Sequence, residues 1–434
     1  MAKTYDTYKD SGIAWIGEIP GDWRVEKARH IFTQRNSKGN ETPILLSATQ
    51  INGMYPQHLL EGVVQVQKST DLQTFKTVHK NDYVISLRSF QGGFEMSDYE
   101  GVCSPAYQVF YNKIDICHQY YKLLFKSQGF ISMINSLVVG IREGKNIQYG
   151  SFSYSYLPCP PLSVQQSISS FLDEKCGEID SLISIQEKMI SELLAYKQSV
   201  ITEAVTKGLD KKAKMKNSGV EWIGDIPEEW EVRRAGDIAN YKKGPFGSAI
   251  TRNIFVEKDN STIKIYEQQN AIKKDWTLGY YYVTYDYFVN YLSSFEVQPG
   301  DIIVSCAGTI GEMYEMPLNI ERGVINQALM RIRLNEKAGI NKAYFMYLFD
   351  VLLKYESNKN SNGSAIKNIP PFNILKKIRF GLPPLPVQQA IATYLDEKTS
   401  QIDSLIALKQ SKIESLKEYK KSIIYEYVTG KKRV

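Results

Sequence analysis

PPLSVQQSISSFLDEKCGEIDSLISIQEKMISELLAYKQSVITEAVTKG, residues Pro160–Gly208, returns nearly intact as PPLPVQQAIATYLDEKTSQIDSLIALKQSKIESLKEYKKSIIYEYVTGK, residues Pro383–Lys431. Each copy opens on Pro-Pro-Leu and then runs through some forty residues rich in Glu, Lys, Gln, Leu and Ile. Proline confined to the opening and a body of good helix formers predict one long α-helix per copy. In the first copy Ile179, Leu182, Gln186, Met189, Leu193, Tyr196 and Val200 recur at heptad spacing; Ile402, Leu405, Lys409, Lys412, Leu416, Tyr419 and Ile423 follow the same frame in the second. Polar Gln186, Lys409 and Lys412 interrupt that seam, as in a pair whose register is fixed. At 1.5 Å per residue each helix spans roughly 50 Å. A single such helix could belong to an ordinary core. Two near-copies are better explained by packing on each other through equivalent faces about a pseudo-twofold axis.

A second repeat frames the first. SGIAWIGEIPGDW, Ser11–Trp23, reappears as SGVEWIGDIPEEW, Ser218–Trp230. Trp15 and Trp222 lie 207 positions apart and the Pro-Pro-Leu openings 223 apart, so the second half carries extra residues between its landmarks. Each half therefore reads as an apolar, proline-bounded strap, a globular segment and a long helix. The strap's expected role is to pack Trp15 or Trp222 against a neighbouring helix. Residues 209–217, LDKKAKMKN, are charged and read as an exposed linker rather than a DNA-touching strip. The organisation is 1–157 (strap and first domain), 158–208 (first helix), 209–217 (linker), 218–382 (strap and second domain) and 383–434 (second helix).

Short apolar runs alternate with turn residues inside the globular segments. Ile44–Leu46, Val63–Val66, Tyr83–Leu87 and Ala106–Phe110 read as strands in the first, with turns at Asn52-Gly53, Asn81-Asp82 and Gln91-Gly92-Gly93. Ile116–Leu137 reads as one helix. In the second segment Tyr280–Leu292 and Asp301–Ser305 read as strands, Pro299-Gly300-Asp301 as a turn and Ala343–Tyr355 as a helix. The two segments share this plan while their residues diverge, which suggests that the heads recognise different things.

A chain of 434 residues is too long for one ordinary domain, and 43% hydrophobic residues support real cores. The net charge of +6 permits a polyanionic partner without requiring one. Cys103, Cys117, Cys159, Cys176 and Cys306 are odd in number and form no C-x-x-C pair, which argues against a disulfide framework or zinc site and for a reducing cytoplasm. The first residues lack an apolar stretch of signal-peptide type, and no apolar run reaches bilayer length.

Catalytic motifs fail on spacing. Gly140-Ile141-Arg142-Glu143-Gly144-Lys145-Asn146 has three residues between its glycines and Asn after Lys, where a phosphate loop needs four and Ser or Thr. Asn368-Ile369-Pro370-Pro371-Phe372 approximates the Asn-Pro-Pro-Phe box of adenine-N6 methyltransferases, but Ile369 interrupts it and no glycine-rich strand-to-helix turn precedes it. His30, His58, His79 and His118 are scattered, and there is no G-x-S-x-G elbow. No catalytic, cofactor-binding or metal-binding residues are therefore assigned.

Polar recognition chemistry remains. Arg pairs with guanine edges, Asn and Gln with adenine edges, and Lys with phosphates. The DNA-binding candidates are Arg88, Gln91, Arg142, Lys145 and Asn146 in the first head, and Lys242, Lys243, Gln268, Asn270, Lys359, Lys367 and Asn368 in the second. Asn326-Gln327 is a further polar pair. Any one cluster could be a solvated loop; matching loops ahead of both Pro-Pro-Leu openings favour recognition.

The layout strongly resembles the specificity subunit of type I restriction–modification systems. The matching residues are the Trp-Ile-Gly-x-Ile-Pro straps at Trp15 and Trp222, Gln91-Gly92 followed by Glu100–Tyr107, Pro299–Ile303 with Gly308-Thr309-Ile310-Gly311, and the two Pro-Pro-Leu-x-x-Gln-Gln openings with their Leu-Asp-Glu-Lys helices. The resemblance spans essentially the whole chain. It implies an α+β fold of two mixed α/β target-recognition domains separated by two long antiparallel coiled-coil helices in a pseudo-twofold internal repeat. It also implies that each domain reads one half of a split site in double-stranded DNA. Two methyltransferase subunits would dock on the helices, for which Leu182, Leu193, Tyr196, Leu405, Leu416 and Tyr419 are candidate docking residues. S-adenosylmethionine is expected on those partners and no cofactor on this chain; restriction subunits can join. Half-sites one helical turn apart, near 34 Å, suit rods of this length. A stand-alone adenine-N6 methyltransferase and a scaffold without a DNA role are the alternatives.

Overall fold

The computed structural model describes residues 4–39, 44–49, 52–60, 72–86, 93–137, 147–360 and 371–434, with backbone alone for 357–360. Two compact units result: Met1–Met189 with Leu408–Val434, and Ile190–Ala407. The rods are longer than the sequence estimate, with Leu162–Lys207 running for 46 residues and Leu385–Val428 for 44. At 1.5 Å per residue that is about 65–70 Å each.

In the first unit the two rods run antiparallel, with Phe171 against Tyr427 at 4.6 Å between rings and Asp180 accepting from Lys420 at 2.6 Å. Lys197 and Asp403 form the equivalent pair within the second unit, at 2.7 Å, each residue 223 positions from its counterpart. Half of the heptad reading survives. Ile179, Gln186, Leu193 and Val200 lie on the covered face, as do Ile402, Lys409, Leu416 and Ile423. The alternate positions are shifted by one: Ile183, Ile190 and Lys197 replace Leu182, Met189 and Tyr196, and Ile406, Ile413 and Lys420 replace Leu405, Lys412 and Tyr419. Adjacent apolar residues such as Leu182 and Ile183 let a 3-4 and a 4-3 spacing fit the same sequence. The lysines win the seam because each reaches an aspartate on the facing helix.

The first head is built on an antiparallel sheet ordered Phe32–Arg35, Gln108–Asn112, Tyr83–Ile85, Phe94–Met96. Aromatic side chains fill the space between it and the helices. Phe32, Tyr83, Phe94, Phe110, Phe125 and Phe130 are all buried, with ring centroids mostly 5–6 Å apart in edge or tilted contacts. The stretch expected as one helix divides into His118–Lys126 and Gln128–Ser136. Ser127 is extended there; its hydroxyl donates to the Leu124 carbonyl at 2.7 Å and accepts from the Phe130 amide at 3.4 Å. Strand boundaries also move, to Leu46–Thr49 and Gln108–Asn112; Val63–Val66 lies outside the described residues.

The second head repeats that sheet as Ala239–Lys243, Leu329–Leu334, Ile302–Ser305, Met313–Glu315. Beside it lies a second, mixed sheet, Tyr282–Val283, Ile263–Tyr266, Gly323–Ile325, Glu296–Val297, whose central pair is parallel; in the first head Lys76–Val78 pairs with Gly101–Cys103, and Leu45 bridges Val102 in parallel. Only Tyr282–Val283 of the expected strand 280–292 is paired as strand. Thr284 then caps a helical turn by accepting from the Tyr287 amide at 3.3 Å, and Phe288–Leu292 continues it as a π turn. Aromatic and β-branched composition lost there to a local cap and to burial of Phe288 and Leu292.

Each strap behaves as expected, and goes deeper. Trp15 meets Phe130 edge-on at 6.1 Å, and Trp222 stacks on Tyr355 at 4.8 Å. Trp23 and Trp230, further along each strap, are its buried anchors. The linker is exposed, but its last residues, Met215–Asn217, pair with the strap at Asp225–Pro227.

Candidate functional site

The Gln-Gln motif opening each rod fastens that rod to its own head. Gln165 accepts from the Cys117 amide at 2.9 Å and donates to the Pro160 carbonyl at 2.9 Å. Gln388 repeats this on the Asn341 amide at 2.7 Å and the Pro383 carbonyl at 2.8 Å. Each glutamine is nearly fully buried, so its amide is held by the start of the head helix.

On that footing, loops far apart in sequence meet at one end of the second head. The Gly244 amide donates to the Leu329 carbonyl at 2.9 Å, and the Cys306 amide to the Ala328 carbonyl at 2.8 Å. The Asn326 amide donates to the Tyr266 carbonyl at 3.0 Å. Gln268 reaches from its helix to the Ala307 carbonyl, and the Ser305 hydroxyl braces the same loop on the Thr309 carbonyl at 2.5 Å. A Cβ on Gly244 would stand 1.8 Å from the Asn326 carbonyl oxygen, so only glycine lets these two loops touch. Polar residues named from the sequence in three separate places, Lys242-Lys243, Gln268 to Asn270 and Asn326-Gln327, thus lie on loops and elements that gather around the 306–311 hairpin tip. Lys243, Phe246, Thr309 and Gln327 are among the exposed side chains of this cluster.

Not every candidate serves it. Asn270 is fully buried; it accepts from the Glu267 amide at 2.7 Å and donates to the Asp275 and Leu278 carbonyls at 2.8 and 2.9 Å. Its hydrogen-bonding capacity is spent on holding a turn, and it is struck from the candidate readers. Gln268 commits its amide nitrogen to the 307–309 carbonyls and acts as a brace. Lys242 is half-buried, with its ammonium 4.6 Å from the centre of the Phe295 ring, on the opposite face of the sheet from Lys243. Lys243 lies near Cys306, whose thiol burial pushes up to about 12 despite that ammonium. Arg88, Gln91, Arg142, Lys145, Asn146, Lys367 and Asn368 lie outside the described residues, as does the side chain of Lys359.

The first head assembles an equivalent edge. The Thr77 amide donates to the Ser37 carbonyl at 3.0 Å, the Gly39 amide to the Phe75 carbonyl at 2.9 Å, and Lys76 Nζ to the Tyr107 carbonyl at 2.5 Å. Beneath each edge sits a feature the sequence reading missed. Asp82 is buried, accepts from the His79 amide at 2.8 Å and takes a bidentate pair from Arg35 at 2.7 and 3.0 Å. Asp301, also buried, accepts from the Gln298 amide at 2.8 Å and from Arg333 at 2.7 and 2.6 Å. Each aspartate follows a residue of positive φ, Asn81 or Gly300, in a turn that the sequence marks as Asn81-Asp82 or Pro299-Gly300-Asp301, but nothing in either turn names the arginine.

On the rods, Leu182, Tyr196, Leu405 and Tyr419 are 46–58% exposed, whereas Leu193 and Leu416 are half-covered in the seam. Among the described residues there is no group of His, Cys, Asp and Glu able to hold a metal ion, and no helix is long and apolar enough to cross a membrane. All five cysteines are free thiols.

Comparison with known proteins agrees with this anatomy. A family model, the type I restriction modification DNA specificity domain, matches residues 227–418. The putative type I restriction enzyme MjaX specificity subunit of Methanocaldococcus jannaschii is 25% identical over 437 residues, covering 96% of each chain. The MjaVIII specificity subunit of the same organism is 25% identical over 433 residues, covering 96% of this chain and 94% of that one. Two solved structures share the fold at 14% identity. One, from work on complex assembly and conformational transition of the type I R-M system, gives a TM-score of 0.68 over 94% of this chain and 98% of its own. The other, the HsdS subunit of Thermoanaerobacter tengcongensis, gives 0.53 over 95% and 98%. Duplicated straps, paired rods and two mixed heads agree with these matches: along its length the chain is similar to the specificity subunits of type I restriction–modification systems.

Proposed function

We propose that this chain is the reading subunit of its complex and does no chemistry itself: each head reads one half of a bipartite site in double-stranded DNA. The observation that carries this is the gathering of separately encoded polar loops at one end of the second head, around the 306–311 tip. Such an edge offers amides, hydroxyls and a cation to base edges and phosphates. Lys243 and Gln327 are its exposed polar readers, with Lys359, Lys367 and Asn368 proposed beside them. In the first head Arg88, Gln91, Arg142, Lys145 and Asn146 are the proposed readers.

The rods have a separate role in this reading. Leu182, Tyr196, Leu405 and Tyr419 keep large apolar surface open to solvent, which suits docking of two methyltransferase subunits. Those partners would bring S-adenosylmethionine and methylate adenine, restriction subunits could join them, and the complex would work in the cytoplasm. Ile369 interrupts the sequence's near-match to a methyltransferase box, which supports a reader that leaves the chemistry to its partners.

Genome-wide mapping of methylated adenine tests it. Replacing residues 232–382 with the corresponding segment of a relative should change one half of the methylated motif and leave the other half unchanged. An unaltered motif, or loss of both halves with assembly intact, would sink the assignment of one head to one half-site.

A further inference from the structure

Phe246 is 89% exposed, in the loop that follows the Lys242-Lys243 end of its strand. The loop is held from several sides. Pro245 fixes one backbone angle, and Gly244 abuts the Asn326 carbonyl. The Ala249 amide donates to the Phe246 carbonyl at 2.9 Å, and the Tyr287 hydroxyl donates to the Ala249 carbonyl at 2.9 Å. A nearly fully solvated ring is thus carried on a braced tip, three residues after exposed Lys243 and two after the glycine that abuts the Asn326-Gln327 turn. It contributes nothing to any core of the second head. The loop at the same place in the first head, after the strand Phe32–Arg35, reads Asn36-Ser37-Lys38-Gly39 and has no aromatic residue.

We propose that Phe246 is a specificity-determining residue of the second head, its ring packing on the bases of the second half-site while Lys243 holds the adjacent phosphate. This rests on the reading of the heads as DNA readers. An apolar ring against a thymine methyl, or wedged between two base steps, discriminates without hydrogen bonds, and a braced loop avoids the entropy of ordering it on binding.

The experiment uses the full chain assembled with its methyltransferase partners and a library of duplexes randomised across both half-sites. Phe246→Ala should lower discrimination at one or two adjacent positions of the second half-site roughly tenfold. First-half preference and complex assembly should not change, and Phe246→Trp should keep most of the preference. Lys243→Ala should instead weaken binding evenly across sequences and flatten its salt dependence. An Ala variant with wild-type discrimination at every position would overturn the proposal while leaving the bipartite reading intact. A wild-type complex with no second-half preference would remove both.

Discussion

The two heads share the backbone hydrogen bonds of one hairpin and diverge at the edge above it. In the first, the Ser97 amide bonds the Asp82 carbonyl and the Ser86 amide the Gly93 carbonyl; in the second, Met316 bonds Asp301 and Ser305 bonds Glu312, every residue 219 positions further on. The aspartate is constant and its guanidinium is not. Strand register places Arg35 at the site of Lys242, and Tyr111 at the site of Arg333. The first head sends the arginine from its edge strand, laid over the Tyr111 ring at 4.3 Å, and the second from the central strand. What the fold requires is a bidentate cation on a buried turn carboxylate, and either the adjacent strand or the edge strand beyond it can supply it. The supports are held fixed in this way while the loops they carry change.

The hardest test of that view removes the carboxylates. Asp82→Ala strands a guanidinium with 21% side-chain exposure and uncaps the His79 amide. Loss of about 3 kcal/mol from the first unit's unfolding is expected, read by denaturant titration. Asp301→Ala should cost less, about 2 kcal/mol, because Arg333 is 39% exposed and can return to water. Equal costs, or costs near zero, would mean that the turn holds without its ion pair.

A finer test moves the arginine. Arg35→Lys loses the fork geometry and should cost about 1–2 kcal/mol. Adding Tyr111→Arg recreates the second head's arrangement in the first and should recover at least half of that loss. Tyr111→Arg alone should destabilise, because it places two guanidiniums beside one carboxylate. A double variant weaker than Arg35→Lys would show that the heads are not interchangeable at this point.

The rods, the straps and the doubled plan were legible in the sequence because duplication writes the same apolar pattern twice. The seam's phase was not, because Leu182 beside Ile183 and Leu405 beside Ile406 satisfy either spacing, and only Asp180 and Asp403 across the pair decide it. The loops meeting at the reading edge were visible as separate polar clusters, but their roles were not. Asn270 and Gln268 look like base readers in sequence, and partners five to forty-odd residues away turn them into turn and brace. The buried Arg–Asp pairs were hidden because no short motif links Arg35 to Asp82 or Arg333 to Asp301.

The smallest expected effect separates the heads by pH. Burial raises the Glu95 carboxyl above its ordinary value, outweighing Lys126 at 2.5 Å, in the first head. In the second, burial lowers the Lys264 ammonium, which donates to the Thr277 carbonyl at 3.0 Å. Folding therefore takes up a proton at Glu95 in the window just above the ordinary glutamate value, so first-head stability should fall as pH rises through it. At Lys264 folding releases a proton in the window just below the ordinary lysine value, so second-head stability should rise with pH there. Neither slope can exceed about 1.4 kcal/mol per pH unit for one proton. Hydrogen exchange at the amides of Tyr83–Ile85 and Ile263–Tyr266 would report each head separately. Glu95→Gln should abolish the acid slope in the first and Lys264→Met the alkaline slope in the second; a slope that survives its substitution belongs to another group.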